Sequence, residues 1–164
     1  MLVSSERVMS ASPVFKAMLK HTWKEGSTLA RKGKVSIPLP DDDPVSFGVL
    51  MDILHGNVSQ VPRSVSLKFM VAIAILVDKY RLQAAVSRYT NLWMDALGDA
   101  IPKSFTPEIM LWLCVSWVFR RPVEFAHATK IAERESTGQD LDTFSTELNE
   151  ELPIPDRLIS TLLT

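Results

Sequence analysis

Three consecutive aspartates, Asp41, Asp42 and Asp43, form the densest cluster of ligating side chains in the sequence. Three carboxylates can hold a hard cation such as calcium, but a calcium loop also needs further oxygen ligands and a glycine turn. Neither accompanies the triplet, which stands directly before Pro44. Its plainer reading is a helix start, with Asp43 capping the free amides and its neighbours facing the positive end of the helix dipole. The histidines His21, His55 and His127 are far apart, and none has a second His or Cys at ligand spacing. Cys114 is the single cysteine, which excludes an intramolecular disulfide and a cysteine-based zinc site. It falls in the apolar run 109–119, so it reads as an inert core thiol and points to a reducing compartment. Neither a phosphate-binding G-x-x-x-x-G-K-[ST] loop, nor H-E-x-x-H, nor a G-x-S-x-G elbow occurs. The expectation is a chain with no catalytic residues, no metal and no cofactor.

One short stretch offers binding chemistry instead. Trp23 lies within the polar run Lys20-His21-Thr22-Trp23-Lys24-Glu25-Gly26. A tryptophan in such a loop either folds back as a lid on the core or is offered to a partner. Both readings stand on the sequence alone. Trp93, Trp112 and Trp117 differ, because they sit at helical spacing among aliphatics and read as core rather than as base-stacking platforms.

The elements that must position these residues are mostly helical. Ser12-Pro13, Asp43-Pro44 and Thr106-Pro107 repeat one grammar, a capping residue followed by a proline whose missing N–H costs nothing in a first turn. Helices are expected over 13–20, 44–54, 66–80, 82–97, 107–119 and 122–134, with Glu25-Gly26 as a turn. The helix over 82–97 is expected to face inward with Ala85, Tyr89, Leu92, Trp93 and Ala96. Residues 34–39 alternate, with Val35, Ile37 and Leu39 on one side, and predict a half-buried strand; residues 1–4 are its candidate partner. Gly98 and Pro102 mark a boundary, and 136–151 reads as a polar linker before a short last helix over 155–163. The fold class expected is therefore α+β, mostly helical: a helix cluster with a small sheet over 1–98, a helical extension over 99–136, and a linker with a short helix over 137–164.

The bulk numbers agree with a globular chain. Of 164 residues 46% are hydrophobic and 23% charged, so a core can form without staples. The net charge of −1 argues against a nucleic-acid binder that works through phosphates. The charge is uneven, however. Lys16, Lys20, Lys24, Arg31, Lys32 and Lys34 lie early, and Glu147, Glu150, Glu151 and Asp156 lie late. Two solvated surfaces explain this, and so does pairing of the tail with the basic face or with an acidic partner. The apolar runs 69–77 and 109–119 are far shorter than the roughly 20 residues that span a bilayer, and residues 1–12 hold no secretory signal. Neither a membrane nor a small-molecule substrate is expected, and the compartment is read as intracellular, cytoplasmic or nuclear.

The order of these segments carries a resemblance. Ser5-Glu6-Arg7-Val8-Met9-Ser10-Ala11-Ser12-Pro13-Val14-Phe15-Lys16-Ala17-Met18-Leu19 resembles the most recognisable motif of BTB/POZ domains. Lys34-Val35-Ser36-Ile37-Pro38-Leu39-Pro40-Asp41-Asp42-Asp43-Pro44 looks like the strand and helix start that follow it. Residues 71–82, with Asp78-Lys79-Tyr80, and residues 112–122, ending Val118-Phe119-Arg120-Arg121-Pro122, resemble the fungal form of such proteins. The likeness covers roughly residues 1–135. It departs from the family in having no histidine at the start of the helix motif and no strand ahead of residues 1–4. The resemblance implies a non-catalytic module for protein–protein interaction: a homodimer, a hetero-association, or a substrate adaptor for a cullin ubiquitin ligase. In the adaptors a hydrophobic-x-acidic motif after the S-P-V-F helix contacts the cullin. Trp23, Lys24 and Glu25 fit that pattern and are the candidate partner-binding residues.

Overall fold

The capping chemistry read from the sequence governs where two of the helices, those opening at Pro13 and Pro44, begin. The computed structural model describes residues 1–136 and 153–154. Helix α1 (Ser5–Ala11) starts on Ser4, whose side chain accepts from the Arg7 amide. Helix α2 (Pro13–Met18) starts on Ser12, whose hydroxyl oxygen accepts from the Phe15 amide at 3.1 Å, with Pro13 in the first turn. Helix α3 (Lys24–Lys32) follows a tight turn and stops at Gly33 in the left-handed conformation, φ 68°. Helix α4 (Pro44–His55) is capped by Asp43, whose carboxylate accepts from the Ser46 amide at 2.7 Å, and ends at Gly56, φ 76°. Beyond a single 3-10 turn at Val58–Gln60 come α5 (Leu67–Tyr80) and α6 (Gln83–Leu97), then a second 3-10 turn, Gly98–Ala100. The chain continues as α7 (Glu108–Val118) and α8 (Pro122–Glu135).

The expected α+β architecture is not what forms. Among the described residues no strand exists, and the fold is all-helical. Residues 34–39 form no regular element, with Val35, Ile37 and Leu39 half-buried and Lys34, Ser36 and Pro38 exposed, so the alternation is real but no ladder joins it. The other candidate strand is engaged elsewhere. The Ser4 amide donates to His55 Nε2 at 2.9 Å, and the Met1 methyl lies over Gly48 of α4. The His55 ring is fixed as the tautomer that donates from Nδ1 to the Met51 carbonyl, 2.8 Å away, leaving Nε2 to accept. Arg7 adds a hydrogen bond to the His55 carbonyl at 2.9 Å. Residues 1–7 are thus fastened to a helix end rather than to a strand.

The described chain divides into two units. One comprises Met1–Arg63 with Leu76–Ser87, the other Ser64–Ile75 with Arg88–Thr164, so the division passes through α5 and α6. In the first unit the core is built around Phe15, Leu50, Met51, Val77, Tyr80 and Leu82. Ser12 is fully buried there and donates its hydroxyl to the Tyr80 carbonyl at 2.6 Å. The Tyr80 ring stacks on Phe15 with centroids 4.6 Å apart and meets Phe47 edge-on at 6.0 Å.

In the second unit α7 is the central element, buried at every position from Ile109 to Ser116. Ser116 sits in this apolar helix by donating to the Trp112 carbonyl, so its hydroxyl is not left unpaired. α8 packs on α7 through Ala128, Ile131 and Ala132. Arg121, between them, reaches Asp95 of α6 at 2.7 Å and Glu124 at 2.9 Å. Three readings of side-chain placement need correction here. The buried stripe of α6 is Val86, Thr90, Trp93 and Met94, while Ala85 and Ala96 are exposed and Leu92 is 58% exposed. Trp117 is 39% exposed, beside Phe125 at 5.7 Å, whereas Trp93 and Trp112 are buried as expected. Thr106 is not a side-chain cap: Pro107 takes the cap position with αR backbone, and only the Thr106 carbonyl engages, accepting from the Ile109 amide. The linker and last helix read over 136–163 lie almost wholly outside the described residues.

Two outcomes are expected. Replacing Ser12 with Ala removes a cap and leaves the buried Tyr80 carbonyl without its donor, lowering stability by about 2 kcal/mol; an unchanged urea midpoint would refute the role. Glu124 is held below the usual carboxylate range, first by its hydrogen bond from Arg121 and against the opposing effect of burial. Its contribution is present above the unfolded carboxyl pKa of about 4.3 and is lost as pH falls through the lower folded value. Wild type should therefore exceed Glu124→Gln in urea midpoint near pH 7, with the gap closing as pH drops below about 4. A pH-independent gap would contradict the pairing.

Candidate partner-binding site

The path from α2 to α3 is made of backbone hydrogen bonds. At the end of α2 the Leu19 amide donates to the Phe15 carbonyl at 2.9 Å and the Lys20 amide to Ala17 at 3.3 Å. The Trp23 amide then donates to the Lys20 carbonyl at 3.0 Å, and the Trp23 carbonyl accepts from Ser27 at 2.9 Å. Trp23 is therefore the residue from which α3 springs, in extended conformation with φ −103° and ψ 156°. The sequence placed it in a loop that Glu25-Gly26 would end. Instead those two residues lie in the first turn of a nine-residue helix.

Gly26 explains how a helix starts so abruptly. It is buried, and a Cβ built on it would stand 2.0 Å from the Lys20 carbonyl oxygen and 2.5 Å from that of Leu19. Only a residue without a side chain lets the first turn of α3 lie against the end of α2. The sequence offered a glycine as a turn signal, whereas its role is close approach. The nearest sequence hint is that glycine is costly inside a helix and is kept there for a packing reason.

With this frame fixed, Trp23 is 62% exposed. The lid reading is excluded, and its ring is available at the surface. Lys24 is exposed and Glu25 half-buried. Glu25 suits the positive end of the α3 dipole, and Arg31 and Lys32 suit its negative end. The three candidate residues are thus consecutive on one fixed helix start.

The aspartate triplet has internal uses. Asp43 caps α4; Asp42, its side chain 3% exposed, receives the Tyr80 hydroxyl and the Lys79 ammonium, each at 2.5 Å. Burial, and next the hydrogen bond to Asp42, push the Tyr80 hydroxyl well above its ordinary value, so it remains a donor. No group of three or more His, Cys, Asp or Glu is placed to hold a metal among the described residues. No described helix is long and apolar enough to cross a membrane. The chain matches no known protein family, no curated protein and no solved structure.

Gly26→Ala should lower the urea unfolding free energy by about 2 kcal/mol or more, because the added methyl has backbone rather than a flexible side chain to displace. Gly98→Ala, where nothing lies within 4 Å of an added Cβ, serves as the control and should stay within about 0.5 kcal/mol of wild type. Equal effects at both positions would show that the α2–α3 contact does not constrain the chain.

Proposed function

We propose that this chain is a non-catalytic protein-association module related to BTB/POZ domains, joining copies of itself or other protein chains. One observation carries the reading: Trp23, 62% exposed, stands on a helix start fixed by Gly26. A large aromatic held in place at the surface is the kind of residue that dominates association energies, since it contributes much area and loses little freedom on binding. The order of elements supports the kinship. The helix that opens Ser12-Pro13-Val14-Phe15, the alternating residues 34–39, α4 and the apolar α5 follow one another as the resembling segments do. The chain's second reading is an adaptor for a cullin ubiquitin ligase. It is favoured by Trp23 at the cap of α3 and Glu25 in its first turn, two residues apart at the hydrophobic-x-acidic spacing.

Light scattering over a concentration series tests the main reading. The mass should rise above the 18.4 kDa of one chain, and Trp23→Ala should shift the rise to about tenfold higher concentration or more. A single-chain mass throughout would refute self-association. For the adaptor reading, capture of a cullin should be lost in the Trp23→Ala, Glu25→Ala double variant; undiminished capture would dismiss that surface.

A further inference from the structure

The basic residues around Trp23 are more than helix-dipole partners. Residues 16–34 carry six basic side chains, Lys16, Lys20, Lys24, Arg31, Lys32 and Lys34, against the single acid Glu25. All six are exposed, and none forms an ion pair with another described residue. The dipole accounts for Arg31 and Lys32 at the end of α3, but Lys24 stands at the opposite, positive end, with Lys20 just before it. Lys24 and Arg31, seven residues apart, lie near one another along the outer side of α3, about 10 Å apart on its axis. The inner side is taken by Gly26 and the half-buried Leu29. This face holds an uncompensated positive field beside an exposed aromatic ring.

The same chain contains the complement. Residues 137–156 carry Asp140, Asp142, Glu147, Glu150, Glu151 and Asp156 with no lysine or arginine, and Leu141, Phe144 and Leu148 are interspersed among them. We infer that the basic Trp23 face of one copy binds the acidic segment 137–156 of a second copy, a head-to-tail contact in which carboxylates meet the α3 cations and an apolar side chain meets Trp23. This rests on the association reading above and names its partner. Such a contact is heterologous, so each copy keeps one free face and one free segment and can add further copies unless the assembly closes. Being a contact between opposite charges, it weakens as added salt shortens the Debye length from roughly 10 Å at 0.1 M to roughly 3 Å at 1 M.

Charge reversal tests it in the full chain. One variant carries Lys24→Glu, Arg31→Glu and Lys32→Glu; a second carries Glu147→Lys, Glu150→Lys and Glu151→Lys. The altered α3 positions are exposed, and circular dichroism checks that helix content is kept. Each variant alone should associate about tenfold more weakly or worse, and mixing the two should restore the mass seen by light scattering. Wild type should lose association between 0.05 and 0.5 M salt, a readout that needs no variant. If wild type associates but neither reversal nor salt changes its mass, or if mixing restores nothing, the head-to-tail contact is wrong while the association reading stands; another surface or a foreign acidic partner is then the occupant. If wild type is a single chain under every condition, both fall together.

Discussion

Tyr80 is the residue on which the first unit depends, because three of its groups hold two other parts of the chain, the start of α2 and the segment before α4. Its carbonyl receives the buried Ser12 hydroxyl, its ring stacks on Phe15, and its hydroxyl donates to Asp42. Burying Asp42 would be costly for an unpaired carboxylate. The Lys79 ammonium and the Tyr80 hydroxyl compensate it, and both come from the last turn of one helix. This ties the segment after residues 34–39 to α5 and sets Asp43, the next residue, where it caps α4. The Ser12 bond likewise sets α2. From α2 the positioning runs onward: the end of α2 presents the Leu19 and Lys20 carbonyls, Gly26 lies against them, and Trp23 is where α3 begins.

What could be read from the sequence follows from how local each cause is. Ser12-Pro13 and Asp43-Pro44 start helices because a side-chain oxygen, two or three free amides and a proline suffice, all within four residues. Thr106-Pro107 has the same letters, yet Pro107 itself adopts the αR conformation at the cap position and the Thr106 side chain makes no cap. The burial of α7 was legible in the apolar run 109–119, broken only by Ser116. The phase of α6 was not, because that helix carries two apolar stripes about one residue apart. Ala85, Leu92 and Ala96 make one, and Val86, Trp93 and Met94 make the one that is buried. A shift of one residue turns a helix by 100°, and only tertiary packing decides between them.

Two misreadings share a non-local cause. The alternation of Val35, Ile37 and Leu39 is present as alternate burial, but a strand is defined by its neighbour, and the candidate neighbour is fastened to the end of α4 through Ser4 and His55. The helix α3 was unforeseen because Glu25-Gly26 was read as a turn, although most of its residues, Lys24, Glu25, Leu29, Ala30, Arg31 and Lys32, favour a helix. Its start is imposed by contact with residues 19–20. The ends of α5 and α7, by contrast, lie within a residue of those read at 80 and 119, although Arg81 and Arg120 follow them. Both take the left-handed backbone, φ 53° and 55°, that glycine usually signals.

The four tryptophans show why exposure at Trp23 carries functional weight where their shared chemistry does not. Trp93 and Trp112 lie inside helices whose neighbouring turns are apolar, so burial follows from helix phase. Trp117 lies near the end of α7, partly covered by Phe125. Trp23 alone precedes its helix, with backbone fixed on both sides by hydrogen bonds to Lys20 and Ser27 and a side chain that neither α2 nor α3 covers. Association must overcome the entropy of ordering the groups it uses. A ring whose backbone is already ordered by Gly26 and the end of α2 leaves only two side-chain torsions to restrict. The constraint that fixes the fold at this corner therefore also lowers the entropic cost of binding there.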